Sequence, residues 1–425
     1  MGSPDRREGA IEVMAPVGSY ESLAAAIQAG ANAIYFGVGK LNMRSKSSQN
    51  FTLEDLRDIS VMARDHNIRT YLTLNTVIYD EEIEEMKGIV DAAHQAGITA
   101  VIASDLAVIT YARRAGMEVH MSTQTNVSNI EAVRFWSSFA DVIVTARELT
   151  LEQVRSLIRT IREENLCGPS GRPLQIELFV HGALCMAISG KCYLSLDNEL
   201  SSGNRGACLQ LCRRPYRVSD VDGNHEFVID NEYIMSPKDL CTIGFLDKIL
   251  DAGVTVLKIE GRGRSADYVK TVVSCYREAA AWWMSKRPWQ DAPVEAWEER
   301  LRSVYNRGFW DGYYLGRKLG EWTQTYGNLA TRKKIYAGKV TNYFSNLGVA
   351  EIKLEAGSLR TGDVFVVMGP TTGVVEDTVS EVRVDDQPVD EAPKGVFCSI
   401  KTPELVRRGD KLYLVVPNEQ VNDGQ

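Results

Sequence analysis

No apolar stretch in this 425-residue chain is long enough to cross a bilayer. The opening Met-Gly-Ser-Pro-Asp-Arg-Arg-Glu has no apolar core of the kind a secretory signal carries, so a cytoplasmic protein is expected. Histidine is scarce, with five in all. Neither a His-Glu-x-x-His zinc motif nor a Gly-x-Ser-x-Gly elbow occurs, so two common sequence signatures of hydrolysis are missing. No Cys-x2-Cys pair of the ferredoxin or zinc-ribbon kind is present either. Charge is not in excess: the formal net value is -8 with 24% charged residues, which argues against indiscriminate coating of nucleic acid. A local basic groove would still suffice for an RNA substrate. What the chain does have is apolar bulk, 44% of residues, enough for a large core and more than one domain.

Through residue 285 a unit repeats: a helix ends at glycine or a small polar residue and a short apolar strand follows. Gly30-Ala-Asn-Ala-Ile-Tyr-Phe36 and Gly253-Val-Thr-Val-Leu-Lys-Ile259 are clear copies. Strands are expected near 11–15, 33–37, 70–75, 99–103, 117–122, 141–145, 175–180 and 254–260. Helical patterns lie between them. One starts near Thr52, and another opens at Thr150 with Gln153 completing a capping box. Eight strand–helix units favour an α/β fold closed as a (β/α)8 TIM-like barrel. The seventh unit carries an insertion at 182–242, too long for one helix and two loops. That insertion is expected to return to helix at Ser236-Pro237-Lys238-Asp239, where Ser can cap and Pro fits the first turn.

Residues 286–334 are rich in Trp, Arg and Tyr and read as a helical or irregular linker. From 335 to 425 short strands alternate with glycine turns, from Ile335–Phe344 to Lys411–Val416, and predict a small all-β barrel domain.

Five of the eight cysteines fall between Cys185 and Cys241, a clustering that in a reducing compartment favours a metal site over disulfides. Thiol-only donors suit an iron–sulfur cluster or zinc, and the spacing leaves both open. Cys275 and Cys398 read as small buried hydrophobes. His181 follows the seventh strand and Glu260 and Arg262 follow the eighth, on the rim where barrel enzymes build their sites. They are the candidate catalytic residues, with His120 divided evenly between site and core. Asn75 and Gln124, at strand ends, are weaker candidates. Arg205, Arg213, Arg214, Arg217 and Tyr216 form a candidate RNA-binding patch, set against a plain solvated loop. Arg332, Lys333 and Lys334 form a second one.

The stretch Glu177-Leu-Phe-Val-His-Gly-Ala-Leu-Cys185, with Gly190, Cys192 and Ser195 after it, resembles the signature of peptidase family U32. Ala15-Pro-Val-Gly18, Tyr35-Phe-Gly37, Ser122-Thr-Gln124 and Lys258-Ile-Glu-Gly-Arg262 extend the likeness over the whole barrel. The resemblance, closest to the tRNA hydroxylation branch, implies a hydroxylase that makes 5-hydroxyuridine at the wobble position of tRNA. It further implies prephenate or a similar small co-substrate, and a [4Fe–4S] cluster supplied by iron–sulfur assembly machinery. The implied ligands are Cys185, Cys192, Cys208 and Cys241, with Cys212 as a substitute and zinc as the alternative metal. The competing expectations are hydroxylation of another RNA or a small aromatic substrate, and a collagenase-like protease, which needs an activated nucleophile or a metal-bound water. A non-catalytic subunit that acts with a second family member is a third.

Overall fold

The computed structural model describes residues 10–46, 49–216, 233, 235–316, 321–324 and 327–419. Eight strands close into a parallel barrel. Seven are consecutive: β1 (Glu12–Pro16), β2 (Ala33–Gly37), β3 (Arg69–Leu74), β4 (Ala100–Ala103), β5 (Glu118–Met121), β6 (Val142–Val144) and β7 (Gln175–Gly182). The eighth barrel strand, β9 (Val256–Ile259), pairs in parallel with both β7 and β1 and so completes the ring. Strands β2, β4, β6 and β9 are largely apolar runs buried on both faces, as a helix-covered parallel sheet requires. All eight expected strands are present, with ends moved by only a residue or two.

The helices lie outside: α1 (Tyr20–Gln28), α2 (Asp55–Asp65), α3 (Ile83–Ala96), α4 (Leu106–Arg114), α5 (Ile130–Ser137) and α6 (Leu151–Glu163). Ser19, Asp105, Asn129 and Thr150 cap four of them with side-chain oxygens, and Thr150 with Gln153 forms the expected capping box. Gly97 ends α3 at φ +77°, where a side chain would be strained. No described helix is long and apolar enough to cross a membrane.

The insertion after β7 holds a short helix α7 (Leu194–Glu199) and then, at Asp239–Cys241, the strand β8. This corrects the expectation of a helix beginning at Ser236. Pro237 instead bridges Trp322, and β8 pairs antiparallel with the end of β7, His181 opposite Cys241. The Ser-Pro pair fits a strand edge as well as a helix start, since proline needs no amide partner in either place. Helix α8 (Leu246–Asp251) follows, then α9 (Ala266–Met284) and α10 (Val294–Ser303) after the barrel closes. The edge strand β10 (Phe309–Trp310) pairs with β8.

The C-terminal part is all antiparallel. Its longest strand, β11 (Arg332–Phe344), pairs with β12 (Val349–Leu354) and with the last strand, Lys411–Pro417. It has an apolar core of its own around Val340, Ile352, Phe365 and Leu412. It docks on the barrel through Gln28 of α1, which donates to the Thr372 carbonyl at 2.8 Å and accepts from the Val374 amide at 2.9 Å. Asp267 of α9 pairs with Lys334 across the same junction.

Candidate active site

The C-terminal ends of the barrel strands open on a cavity of about 230 Å³. Inside the barrel, Lys258 of β9 donates to Glu177 of β7 at 2.7 Å and lies over the rings of Tyr35 and Phe179. Above this floor, Glu260 is held by Arg44 and accepts from the Tyr35 hydroxyl at 3.1 Å. Burial alone would push the Glu260 carboxyl up. The guanidinium groups of Arg44, Arg262 and Arg147 outweigh burial and hold it down at about 2. Arg262 donates to Thr73 at 2.7 Å. Its own value is lowered to about 10 by burial, against the pull of Tyr35 and Glu260.

Opposite, Asn75, Ser122 and Gln124 form a hydrogen-bonded polar string along the wall. Arg147, three residues past β6, lies 4.5 Å over the Phe179 ring. Its Nε is buried with no hydrogen-bond partner among the described residues. The cavity wall therefore carries a marked excess of cations over carboxylates, suited to an anion of modest size.

The roof is the insertion. Cys185, Cys192, Cys208 and Cys212 all line the cavity. Burial pushes the Cys212 thiol up to about 11; Arg213 opposes the rise, while Cys185, Cys208 and Cys192 reinforce it. Cys241 is not among them. It is buried in β8 beside Tyr276, and burial pushes its thiol up to about 12. Of the expected quartet the structure thus brings three together, and Cys212 takes the fourth place on the cavity. Among the described residues no three Cys, His, Asp or Glu side chains stand close enough to grip a metal ion as placed. By donor type, thiols gathered on one cavity suit an iron–sulfur cluster or zinc equally.

The roof is pinned to the barrel. Ser45 donates to the Gly206 carbonyl at 3.1 Å, and a Cβ on Gly206, itself at φ +77°, would sit 2.2 Å from the Asn42 carbonyl oxygen. Arg205 grips Glu82, donates to the Val77 carbonyl and stacks on Tyr79 at 4.0 Å.

Several expected roles change accordingly. Arg205 is consumed by that clamp. Arg213 donates to Ser236, Leu184 and Pro237 from a mostly buried position, so neither arginine is a free RNA contact. The Tyr216 hydroxyl donates to the Leu211 carbonyl, Arg214 is exposed, and Arg217 lies outside the described residues. In the second patch, Arg332 pairs with Glu376 and Lys334 with Asp267, leaving Lys333 exposed.

His181 turns outward, away from the cavity, against Tyr276 and Phe309, and burial lowers it to about 3. A bulge between Phe179 and His181 swings it there, a feature a strand pattern does not reveal. His120 is fully buried inside the barrel, stacked on Tyr71 at 4.4 Å and 3.0 Å from Glu118. It belongs to a charged plug at the N-terminal end of the barrel with Glu12 and Arg69, away from the rim. Glu260, Arg262, Asn75 and Gln124 do line the cavity. Sequence reading missed Arg44 and Arg147. Arg147 has the strand-end position that pointed to the others, whereas Arg44, in the long loop after β2, gave no local signal.

A family model for peptidase family U32 matches residues 18–324. The chain is 57% identical over 402 residues to a protein of Porphyromonas gingivalis named collagenase, covering 95% of this chain and 97% of that one. It is 30% identical over 383 residues to tRNA hydroxylation protein P1 of Bacillus subtilis (strain 168), covering 88% and 87%. Identity to the 23S rRNA 5-hydroxycytidine C2501 synthase of Escherichia coli (strain K12) is 33% over 418 residues, covering 97% of this chain and 57% of that one.

Proposed function

We propose that this chain, which belongs to peptidase family U32, is an RNA hydroxylase that forms 5-hydroxyuridine at the wobble position of tRNA. The single observation that carries this reading is the meeting of four thiols and a cationic barrel rim on one cavity. Cys185, Cys192, Cys208 and Cys212 would hold a [4Fe–4S] cluster delivered by assembly machinery. When bound, such a cluster supplies one-electron transfer or a Lewis-acidic iron. Arg147 and Arg262 would bind the carboxylates of a small co-substrate such as prephenate. Glu260 keeps Arg44 in place, and the string of Asn75, Ser122 and Gln124 would orient the polar edge of the base. A wobble uridine is presented unstacked, which a cavity at the mouth of a barrel can admit. Relatives at 30% and 33% identity bear RNA-hydroxylating names, in keeping with this reading.

A second reading, proteolysis, is favoured by the collagenase name of the relative at 57% identity. Against it, no histidine among the described residues lines the cavity, and His181, kept neutral by burial, is not among the lining residues. Among the described residues, a cavity thiol thus has no histidine beside it to act as the activating base.

The test is to quantify modified uridines by mass spectrometry in tRNA from cells lacking the gene. These cells are complemented with wild type or with Cys192→Ser, and purified protein is incubated with gelatin in parallel. Loss of 5-hydroxyuridine restored only by wild type supports hydroxylation. An unchanged tRNA profile with gelatin cleavage by wild type would replace it with the peptidase reading.

A further inference from the structure

Lys258 is a buried amine that the reading above leaves without a task. It lies on β9 two residues past Val256, so both side chains stand on the same, interior face of the strand. Val256 belongs to a buried apolar layer with Ala33, Ile102 and Val142. Lys258 itself lines the cavity. Its Nζ makes one hydrogen bond among the described residues, to Oε1 of Glu177 at 2.7 Å. The ring centres of Tyr35 and Phe179 lie 4.8 and 5.3 Å from it.

An ion pair kept only for the fold is poorly built in this way. Burying two opposite charges is costly, and the cost is offset only where the remaining lone pairs and protons find partners. Here the second oxygen of Glu177 is buried with no hydrogen-bond partner among the described residues. Nζ, for its part, keeps two N–H donors unspent beside an open cavity. The amine has access to a ligand, and the carboxylate has a free oxygen that can carry a proton.

We infer that Lys258 is a catalytic residue that forms a Schiff base with the carbonyl carbon of an α-keto acid co-substrate, with Glu177 carrying the proton. This inference rests on the co-substrate reading above and names the reactive group of that molecule. An α-keto acid holds its carbonyl directly beside a carboxylate, and the cavity offers a partner for each. Arg147, 4.5 Å over the Phe179 ring, and Lys258 rest against the same side chain. A carboxylate held by the Arg147 or Arg262 guanidinium keeps the adjacent carbonyl in the cavity that Lys258 lines.

The step balances without an oxidant or reductant. The Lys258 ammonium gives a proton to Glu177, and the freed amine adds to the carbonyl carbon. A proton then moves from nitrogen to oxygen, which gives the carbinolamine. Glu177 returns its proton to that hydroxyl, the C–O bond breaks, and water leaves a protonated C=N bond behind. The product carries the same charge as the ammonium it replaces, so the pair with Glu177 is kept.

The experiment incubates the full-length protein, purified anaerobically, with pyruvate or prephenate and sodium cyanoborohydride, which reduces an imine to a stable secondary amine. Intact-mass and peptide mass spectrometry read the adduct. Wild type is expected to gain one reduced adduct per chain, mapped to Lys258. Lactate, which has the carboxylate but no carbonyl, should slow the labelling and add no mass itself. Glu177→Gln keeps the lysine and should label at least about a hundredfold more slowly, the usual loss when a positioned acid–base group is removed. The map is made on wild type, so it does not depend on how the variant folds. Adducts scattered over surface lysines, or none at Lys258, overturn the Schiff base; if the gene is still required for 5-hydroxyuridine, the hydroxylase reading stands. A Lys258 adduct in a protein whose loss leaves tRNA unchanged keeps the α-keto acid site and removes the hydroxylase reading. Labelling of Glu177→Gln at the wild-type rate removes Glu177 as the proton carrier.

Discussion

Arg44 donates from Nε and from a terminal nitrogen to one oxygen of Glu260, at 3.1 and 2.7 Å, across 216 residues of sequence. The pair joins the loop after β2 to the end of β9 and forms one wall of the cavity. Removing the carboxylate takes the Glu260 charge away from the buried Arg262 and the part-buried Arg44. Glu260→Gln is therefore expected to destabilise the fold by about 3–5 kcal/mol. The pH dependence has a definite sign. The folded carboxyl sits at about 2 against an ordinary 4.5, so its contribution is complete above the ordinary value and is lost as pH falls through the folded one. Urea titrations between those limits should show wild type losing stability faster than the glutamine variant. Parallel pH profiles would mean that the pair contributes nothing.

His181 makes the opposite argument about catalysis. Burial lowers it to about 3 from an ordinary 6.5, so the folded chain keeps it neutral while the unfolded chain takes up a proton. Stability is complete above 6.5 and falls as pH drops toward 3, by up to about 1.4 kcal/mol per pH unit. His181→Phe should remove that part of the acid sensitivity and leave RNA hydroxylation within about threefold of wild type, a ΔΔG‡ below ~1 kcal/mol. A loss of a thousandfold or more would return His181 to the site.

The two cysteines that differ from expectation are separable by iron content. Cys212→Ser should lower iron and acid-labile sulfide per chain in anaerobically purified protein, because it removes one of four thiols on the cavity. Cys241→Ser should keep both, and instead cost about 1–3 kcal/mol by placing a hydroxyl in a buried apolar setting. Full iron in Cys212→Ser with depleted iron in Cys241→Ser would reverse the assignment.

The barrel was legible because each strand after the first is a short, mostly apolar run preceded by a helix stop, and that pattern is local. The rim residues Glu260, Arg262, Asn75 and Gln124 were legible for the same reason, since strand ends locate the rim. What sequence reading missed depends on non-local geometry. A bulge turned His181 outward, and strand pairing drew Cys241 under the end of β7. The arginines of the insertion looked like an RNA surface, yet Arg205 and Arg213 face inward and hold the roof. Spacing along the chain does not encode which side of a loop meets the protein.

Arg147 offers the sharpest test of the proposed co-substrate site. Its Nε is buried with no hydrogen-bond partner among the described residues while its guanidinium lies over Phe179, so this donor is open to a bound ligand. Arg147→Lys keeps the charge and removes both the planar fork and the stranded Nε. A carboxylate bound by a two-pronged donor loses one hydrogen bond in that variant, worth about 1.5–3 kcal/mol for a charged pair. The KM for prephenate should then rise by roughly tenfold or more with kcat little changed, and the fold should be no less stable. If KM holds and kcat falls, Arg147 acts on the reacting centre. If neither moves, the anion binds elsewhere in the cavity and the lone Nε has only a structural meaning.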